Sequence, residues 1–582
     1  MERGPQSRLV SGMNKVGRSA RMGSHGVAGG GSATHRRVVP GSPNEAGDCR
    51  REMTGRIIAV DEVRPRVWER WKAWRDVALI GGATAIYALL SLSLLLRVPP
   101  AQLPEAYFAQ ASLSLVRDGV MASPGLAEFI PSFGEHTFWQ PPAYFLAAAA
   151  DFKLLGFGLI QLRLLSVCMA FVAAGFWFLS LRRVVSAGWI VSLAMLILVT
   201  DASWLEVARL GRMEAMTMAG VMSGAYCYLR SLQAGPRSLR WATLAGALAA
   251  VAWLTHPFGL MLGAVIGLNE LLTAILRRLR SLSIARLAAL VVPSMVGCLA
   301  WLVYVLQDTS GFSAQMAYQF GRKGILGAPE RAEHFLRDYH PELFPLYLLY
   351  SLLAGLALIA YGRRRDERRR FLALLFLVGV AMAIYGADQP YLGYIPLYGV
   401  GSLALLAGAG ELTASPKRLV VGGFAVGAAL LLLANLAADG YLIYKYRLDI
   451  PSETDRASFA REVNHLIPND QRIMLATTGV TPYFEMARGR DLRDLMLPLP
   501  NEPEGLERQL ASSDYVVLDY RGGVSLTLGY FPEVGEFLET RGELVGEVGY
   551  ECADCILFRV WKVRTASVAP QGEKAATVVV MP

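Results

Sequence analysis

Two short acidic stretches hold the residues best suited to chemistry. Glu105 stands in Leu103-Pro104-Glu105-Ala106-Tyr107 and opens EAYFAQASLSLVRDG, a stretch of helical, amphipathic pattern just past a long apolar run. The second stretch, TDASWLEVARLGRME, places Asp201, Glu206, Arg209, Arg212 and Glu214 between two apolar runs. A carboxylate can take the proton of a hydroxyl nucleophile. A nearby guanidinium can stabilise phosphate charge as it develops. Plainer readings compete. Glu105 would complement a helix dipole from the N-terminal end, and Arg212 with Glu214 would form an ion pair that holds two helices together. Ionisable groups at membrane depth are costly and tend to be functional, which favours the chemical reading for Arg212 and Glu214.

Other polar residues gather around these two. His256, in WLTHPFG, reads equally well as a functional group or as a cap before Pro257. Glu135, His136, Trp139, Gln140, Pro141, Pro142 and Tyr144 follow Glu105; singly, the Trp and Tyr are ordinary interface anchors. A later connection adds Tyr318, Arg322, Lys323, Arg331, His334, Arg337 and His340. Such basic residues could hold a lipid phosphate, although solvation explains any single one as well. No His/Cys pattern has metal-ligand spacing. No cofactor is called for, and a divalent metal stays open. Cys552-Ala553-Asp554-Cys555 is a lone CxxC that lacks two further zinc ligands. A redox pair usually starts a helix, whereas this one precedes the strand-like ILFRVWKV, so a local structural disulfide is expected.

The elements that must position these residues are membrane helices. The 582 residues are 53% hydrophobic and 18% charged, with mean hydropathy +0.36; soluble proteins carry about 25% charged residues. The net charge of +9 sits largely in short loops, so it signals membrane orientation and not nucleic-acid binding. The loop RRRDERRR, residues 363–370, holds six arginines and is expected on the cytoplasmic side. Candidate spans lie near 77–96, 160–181, 187–203, 214–231, 240–255, 258–275, 284–306, 342–361, 369–386, 392–410 and 418–437, about eleven in all. With the N-terminus inside, every cytoplasmic connection is basic, and Glu105, Arg212, Glu214 and His256 share the outer face. Pro141–Phe157 is apolar enough to tempt a further span, but counting it would place Arg182 and Arg183 outside; a juxtamembrane helix fits better. Cys168, Cys227 and Cys298 lie inside apolar segments and are expected to pack in the core.

The expected architecture is a polytopic α-helical membrane protein with a small C-terminal α/β extracytoplasmic domain. Residues 1–60 read as a disordered cytoplasmic tail and 61–445 as the transmembrane domain. Residues 446–563 alternate helix and strand patterns, and 564–582 read as a disordered tail. The Ala, Gly, Arg and Pro bias points to a GC-rich bacterium and hence to the inner membrane.

This arrangement resembles a known family. The features are a first span followed by an outside acidic-x-Tyr segment, then PPxxY, then Gly and an Arg-led span. A second acidic site after the third span, a Thr-His-Pro turn after the fifth and a soluble C-terminal domain complete it. The chain resembles the GT-C superfamily of integral-membrane glycosyltransferases over roughly 77–440, in the branch of the protein O-mannosyltransferases and the aminoarabinose transferase that modifies lipid A. The resemblance implies a polyprenyl-phosphate sugar donor, inversion at the anomeric carbon, and a lipid, glycan or protein acceptor outside the cytoplasm. It implies Glu105 as the base, with Pro104 where the family carries Asp, and Glu214 at the second acidic position. The family's Lys-Pro is replaced by Gln140-Pro141-Pro142. Tyr107, His136, Tyr144, Arg212, His256, Arg322 and Lys323 are then the expected contacts for the substrate or its phosphate. A transporter or flippase for a lipid-linked sugar is the second reading; it calls for inverted repeats, and none is evident. A membrane-anchored binding protein is the third, and it leaves most spans unexplained, since one suffices as an anchor.

Overall fold

The computed structural model describes most of residues 78–564, together with 577–579. Outside it lie 97–102, 277–282, 325–343, 363–365, 410–417, 450–452, 478–480, 488–491, 496–509, 551–555, 565–576 and shorter breaks. The expectations for residues 1–60, for Arg331, His334, Arg337 and His340, and for a Cys552–Cys555 disulfide fall outside the described residues. All described residues belong to one compact unit, Trp71–Pro582.

The apolar runs are helical. In chain order they begin with α1 (Ile80–Ser93), α2 (Leu103–Asp118), α3 (Ala143–Leu155), α4 (Leu159–Leu181), α5 (Gly188–Val199) and α6 (Ala202–Arg209). Then come α7 (Glu214–Ser231), α8 (Ser238–Thr255), α9 (Leu260–Leu276), α10 (Ile284–Val305) and α11 (Thr309–Gly324). After these follow α12 (Phe344–Tyr361), α13 (Glu367–Gly386), α14 (Gln389–Leu392), α15 (Ile395–Ala409) and the long α16 (Arg418–Asp449). Among the described residues, α4, α9 with its leading turn, α10 and α12 are the 4 helices long and apolar enough to cross a membrane, or 5 with the bent α5–α6 pair. α4, at 23 residues, rises about 34 Å, enough for a hydrocarbon layer of about 30 Å. α3 has 13 residues and rises only about 20 Å, so it is too short to span. α10 buries only 11% of its most apolar window; the side chains it leaves exposed, such as Val292, Met295 and Leu299, suit lipid contact. Cys168 and Cys298 are exposed and only Cys227 is buried, which corrects the core placement of the first two. In a bilayer an apolar face turned outward costs nothing, so apolar context does not distinguish core from lipid.

Two connections differ from expectation. The stretch after Thr200 is not an open loop: the chain bends 61° and resumes as α6. Asp201 causes the restart as an N-cap, its Oδ1 accepting from the N–H groups of Ser203 at 3.0 Å and Trp204 at 3.1 Å. The basic loop also contributes to packing. The guanidinium of Arg369 donates to the Val184 carbonyl at 2.9 and 3.1 Å. Arg370 is buried and donates to Asn269 Oδ1 at 2.9 Å, with Thr273 beside it. Arg370 is therefore a tie between α9 and α13 rather than a loop charge.

Beyond α16 come α17 (Glu453–Leu466), β1 (Ile473–Ala476), α18 (Thr481–Met486), β2 (Asp494–Leu495), β3 (Tyr515–Arg521), α19 (Pro532–Arg541), β4 (Gly542–Gly549), β5 (Ile556–Val563) and β6 (Thr577–Val579). The six strands form one sheet in the order β2-β1-β3-β5-β4-β6. β2, β1 and β3 run parallel, β5 is antiparallel to both β3 and β4, and β6 pairs parallel with β4. Strand alternation sends Ile473 and Leu475 to a face covered by α17 and α18, and Met474 and Ala476 to a face covered by α19. β6 corrects the reading of 564–582 as wholly disordered, since Thr577–Val579 extend the sheet edge. The sheet's first face is continuous with the helical part. Phe157 stacks on Phe484 at 5.4 Å, and Gln110 Nε2 donates to the Leu492 carbonyl at 3.4 Å.

Candidate active site

Glu105 sits in the first turn of α2 and is fully buried. Its partner is Arg163 on α4, which meets it as a fork, Nε to Oε1 and Nη2 to Oε2, both at 2.9 Å. Arg163 Nη1 also donates to the Leu95 carbonyl at 2.7 Å, and Gly211 N–H donates to Glu105 Oε1 at 2.7 Å. The carboxylate therefore joins α2, α4 and the turn before α7. Glycine is required in that turn: a Cβ at Gly211 would fall 2.8 Å from Leu162 Cδ2 and 2.9 Å from Glu105 Oε1. Gly211→Ala is expected to destabilise the protein by about 1–3 kcal/mol through overpacking, read as a lowered thermal midpoint in detergent; an unchanged midpoint would contradict this packing.

The turn delivers the second pair. Ser166 Oγ donates to the Arg212 carbonyl at 3.1 Å and accepts from the Arg212 N–H at 3.2 Å, which fixes the backbone. Arg212 then reaches Glu214, Nη2 to Oε1 at 2.9 Å, while Oε2 accepts only a 3.3 Å bond from Nε. These partners are two residues apart, so the pair does not join two helices, whereas Glu105–Arg163 does. The Arg212 guanidinium lies 5.7 Å from the centroid of the Phe108 ring.

Glu214 borders a narrow cavity of about 20 Å³, lined also by His256, Tyr391, Tyr394 and Tyr398. Met218, Met261 and Met382 make much of its apolar wall. The cap reading of His256 is met, and the ring also borders the cavity. Its Nδ1 accepts the Phe258 N–H at 3.2 Å, capping the turn, and its Nε2 meets the Tyr391 hydroxyl at 3.1 Å inside the cavity. The Tyr394 hydroxyl is buried and has no hydrogen-bond partner among the described residues. The cavity's lining, mostly apolar with a few convergent polar groups, has the composition usual for a small-molecule site.

The remaining predicted residues divide. Tyr144, at the start of α3, is buried, and its phenol is pushed well above its ordinary range by burial first and then by Glu214 and Glu105; it is a neutral group near both acids. Tyr107 packs 6.2 Å from Trp139, one residue from Phe108. His136 stacks on Phe138 at 5.6 Å. Arg322 and Lys323 lie at the end of α11, and their side chains fall outside the described residues. Sequence reasoning did not find Gly211, Ser166, Tyr391 or Tyr394, and saw Arg163 only as the arginine leading a span. An arginine in the first turns of an apolar run was the one available signal.

No protein-family model and no curated protein matches the chain. Solved structures do. ArnT from Cupriavidus metallidurans bound to undecaprenyl phosphate is similar with TM-score 0.52 and 14% identity, covering 86% of this chain and 99% of that one. The apo ArnT structure from the same organism gives TM-score 0.51 and 14% identity, covering 84% and 98%. The chain has the GT-C fold. That likeness extends over most of the chain.

Proposed function

We propose that the protein is a glycosyltransferase that moves a sugar from a polyprenyl-phosphate carrier to an acceptor hydroxyl outside the cytoplasm. The observation that carries this reading is Glu214, paired with Arg212, at the wall of a cavity shared with His256, on the fold of a protein whose structure holds undecaprenyl phosphate. The acceptor oxygen would attack the anomeric carbon as the bond to the phosphate oxygen breaks. The acceptor proton would pass to a carboxylate, and the polyprenyl phosphate would leave with the bonding electron pair. Attack opposite the leaving group inverts the centre. Glu214 is favoured as the base because Oε2 has one weak partner and the side chain borders the cavity. Glu105 is favoured as the anchor of the turn, since Arg163 and Gly211 occupy its oxygens. Arg212 would stabilise the phosphate charge.

The proposal places about eleven crossings between α1 and α16, with the N-terminus inside and the sheet outside, in an inner membrane. A reporter after residue 445 is then expected to be reachable from outside, and one within 363–370 is not; the reverse pattern would undo the orientation. The function is tested by giving purified protein a panel of radiolabelled polyprenyl-phosphate sugars with native membrane extract as acceptor. Transfer from at least one donor is expected. Binding without transfer across the whole panel would favour a transporter of lipid-linked sugars.

A further inference from the structure

Gln315 on α11 is fully buried, and its amide is used at four positions. Oε1 accepts from the backbone N–H groups of Phe138 at 2.7 Å and Trp139 at 3.2 Å. Nε2 donates to Ser132 Oγ at 3.0 Å and to the His136 carbonyl at 2.8 Å. Only a primary amide offers two acceptor lone pairs and two N–H donors on one planar head. The helix that carries it is fixed at its start. Asp308 Oδ1 accepts from the Gly311 N–H at 2.8 Å and from the Ser310 hydroxyl at 2.8 Å. Gly311 lies so close to the gripped segment that a Cβ there would fall 2.7 Å from Ser132 Cβ.

What Gln315 grips leads to the site. The Trp139 ring packs 5.9 Å from Phe108, and Phe108 carries the Arg212 guanidinium at 5.7 Å from its centroid. Arg212 in turn holds Glu214 at 2.9 Å. We infer that Gln315 is a positioning residue for transfer: it locks residues 132–139 to α11 and thereby sets the Trp139–Phe108 wall that holds Arg212 against Glu214. The inference rests on the transferase reading above. Neither loop alone provides this wall, because Trp139 lies in the connection before α3 and Gln315 lies 176 residues further along the chain.

The test compares Gln315→Leu, which loses all four bonds, and Gln315→Glu, which keeps the shape but loses both donors. In each, kcat is expected to fall about ten- to a hundredfold, the effect of slight misplacement of a reacting group. The donor KM should change less than about twofold, as for an interaction made only in the transition state. Amide exchange at Phe138 and Trp139 should speed up in Gln315→Leu. Combined with Phe108→Leu, the loss should be no greater than that of the worse single variant, because neighbours in one contact chain do not add. Three results would overturn the inference. One is unchanged kcat with faster exchange. The second is a loss that multiplies with Phe108→Leu. The third is a loss that follows the fraction of unfolded protein. If the wild type itself transfers no sugar from any donor, the transferase reading fails and takes this role with it. A wild type that transfers beside unaffected Gln315 variants removes the role alone.

Discussion

Glu214→Gln is expected to lower sugar transfer about 10²–10⁴-fold, the usual contribution of a positioned general base. Glutamine keeps the volume and an oxygen that can still accept from Arg212 Nη2, so the turn should remain folded. Arg212 also keeps its place over Phe108 and its backbone bonds to Ser166. What is lost is the negative charge of a side chain that borders the cavity. Single-turnover transfer at saturating donor isolates this step. A rate within about threefold of wild type would be well short of a lost general base and would remove Glu214 from the chemistry. Donor binding should change little, because in the proposed mechanism Arg212 supplies the charge for the phosphate.

Arg163→Met should have the largest effect on stability. The substitution leaves the Glu105 carboxylate buried without its guanidinium and removes the Arg163 donor from the Leu95 carbonyl. Breaking a fully buried ion pair by removing one partner costs about 3–5 kcal/mol, a large share of the 5–15 kcal/mol that typically separates folded from unfolded domains. The expected readout is a sharply lowered thermal midpoint or loss of monodisperse protein in detergent. Arg163→Met combined with Glu105→Leu should recover much of the loss, because neither charge is then stranded. A double variant as unstable as Arg163→Met would mean that the pair is not what holds the turn.

Helix positions were largely legible in the sequence because an apolar run long enough for a bilayer has few alternatives. The details that failed have local causes. The bend after Thr200 depends on one aspartate acting as an N-cap, and the apolar residues on both sides mask it. Arg370 looks like loop charge until Asn269, 101 residues away, is seen to accept from it. β4, GELVGEVG, has three glycines and little alternation, so its pattern gave no strand signal. The site was legible in part. Glu105, Arg212, Glu214, Tyr144 and His256 share one neighbourhood, and each sits at the end of an apolar run where a polar residue stands out. The proposed division of labour between the two acids was not legible. It depends on Arg163, 58 residues from Glu105, and on which carboxylate borders the cavity, and spacing encodes neither.

The central claim is that Glu214 does the chemistry and Glu105 holds the turn that presents it. The most direct measurement compares transfer by wild type, Glu105→Gln and Glu214→Gln from one active polyprenyl-phosphate sugar, each normalised to folded protein. The account predicts that Glu214→Gln is folded and nearly inactive, while the activity of Glu105→Gln per folded molecule stays near wild type even though less of it folds. A folded, inactive Glu105→Gln beside an active Glu214→Gln would reverse the roles and contradict the account.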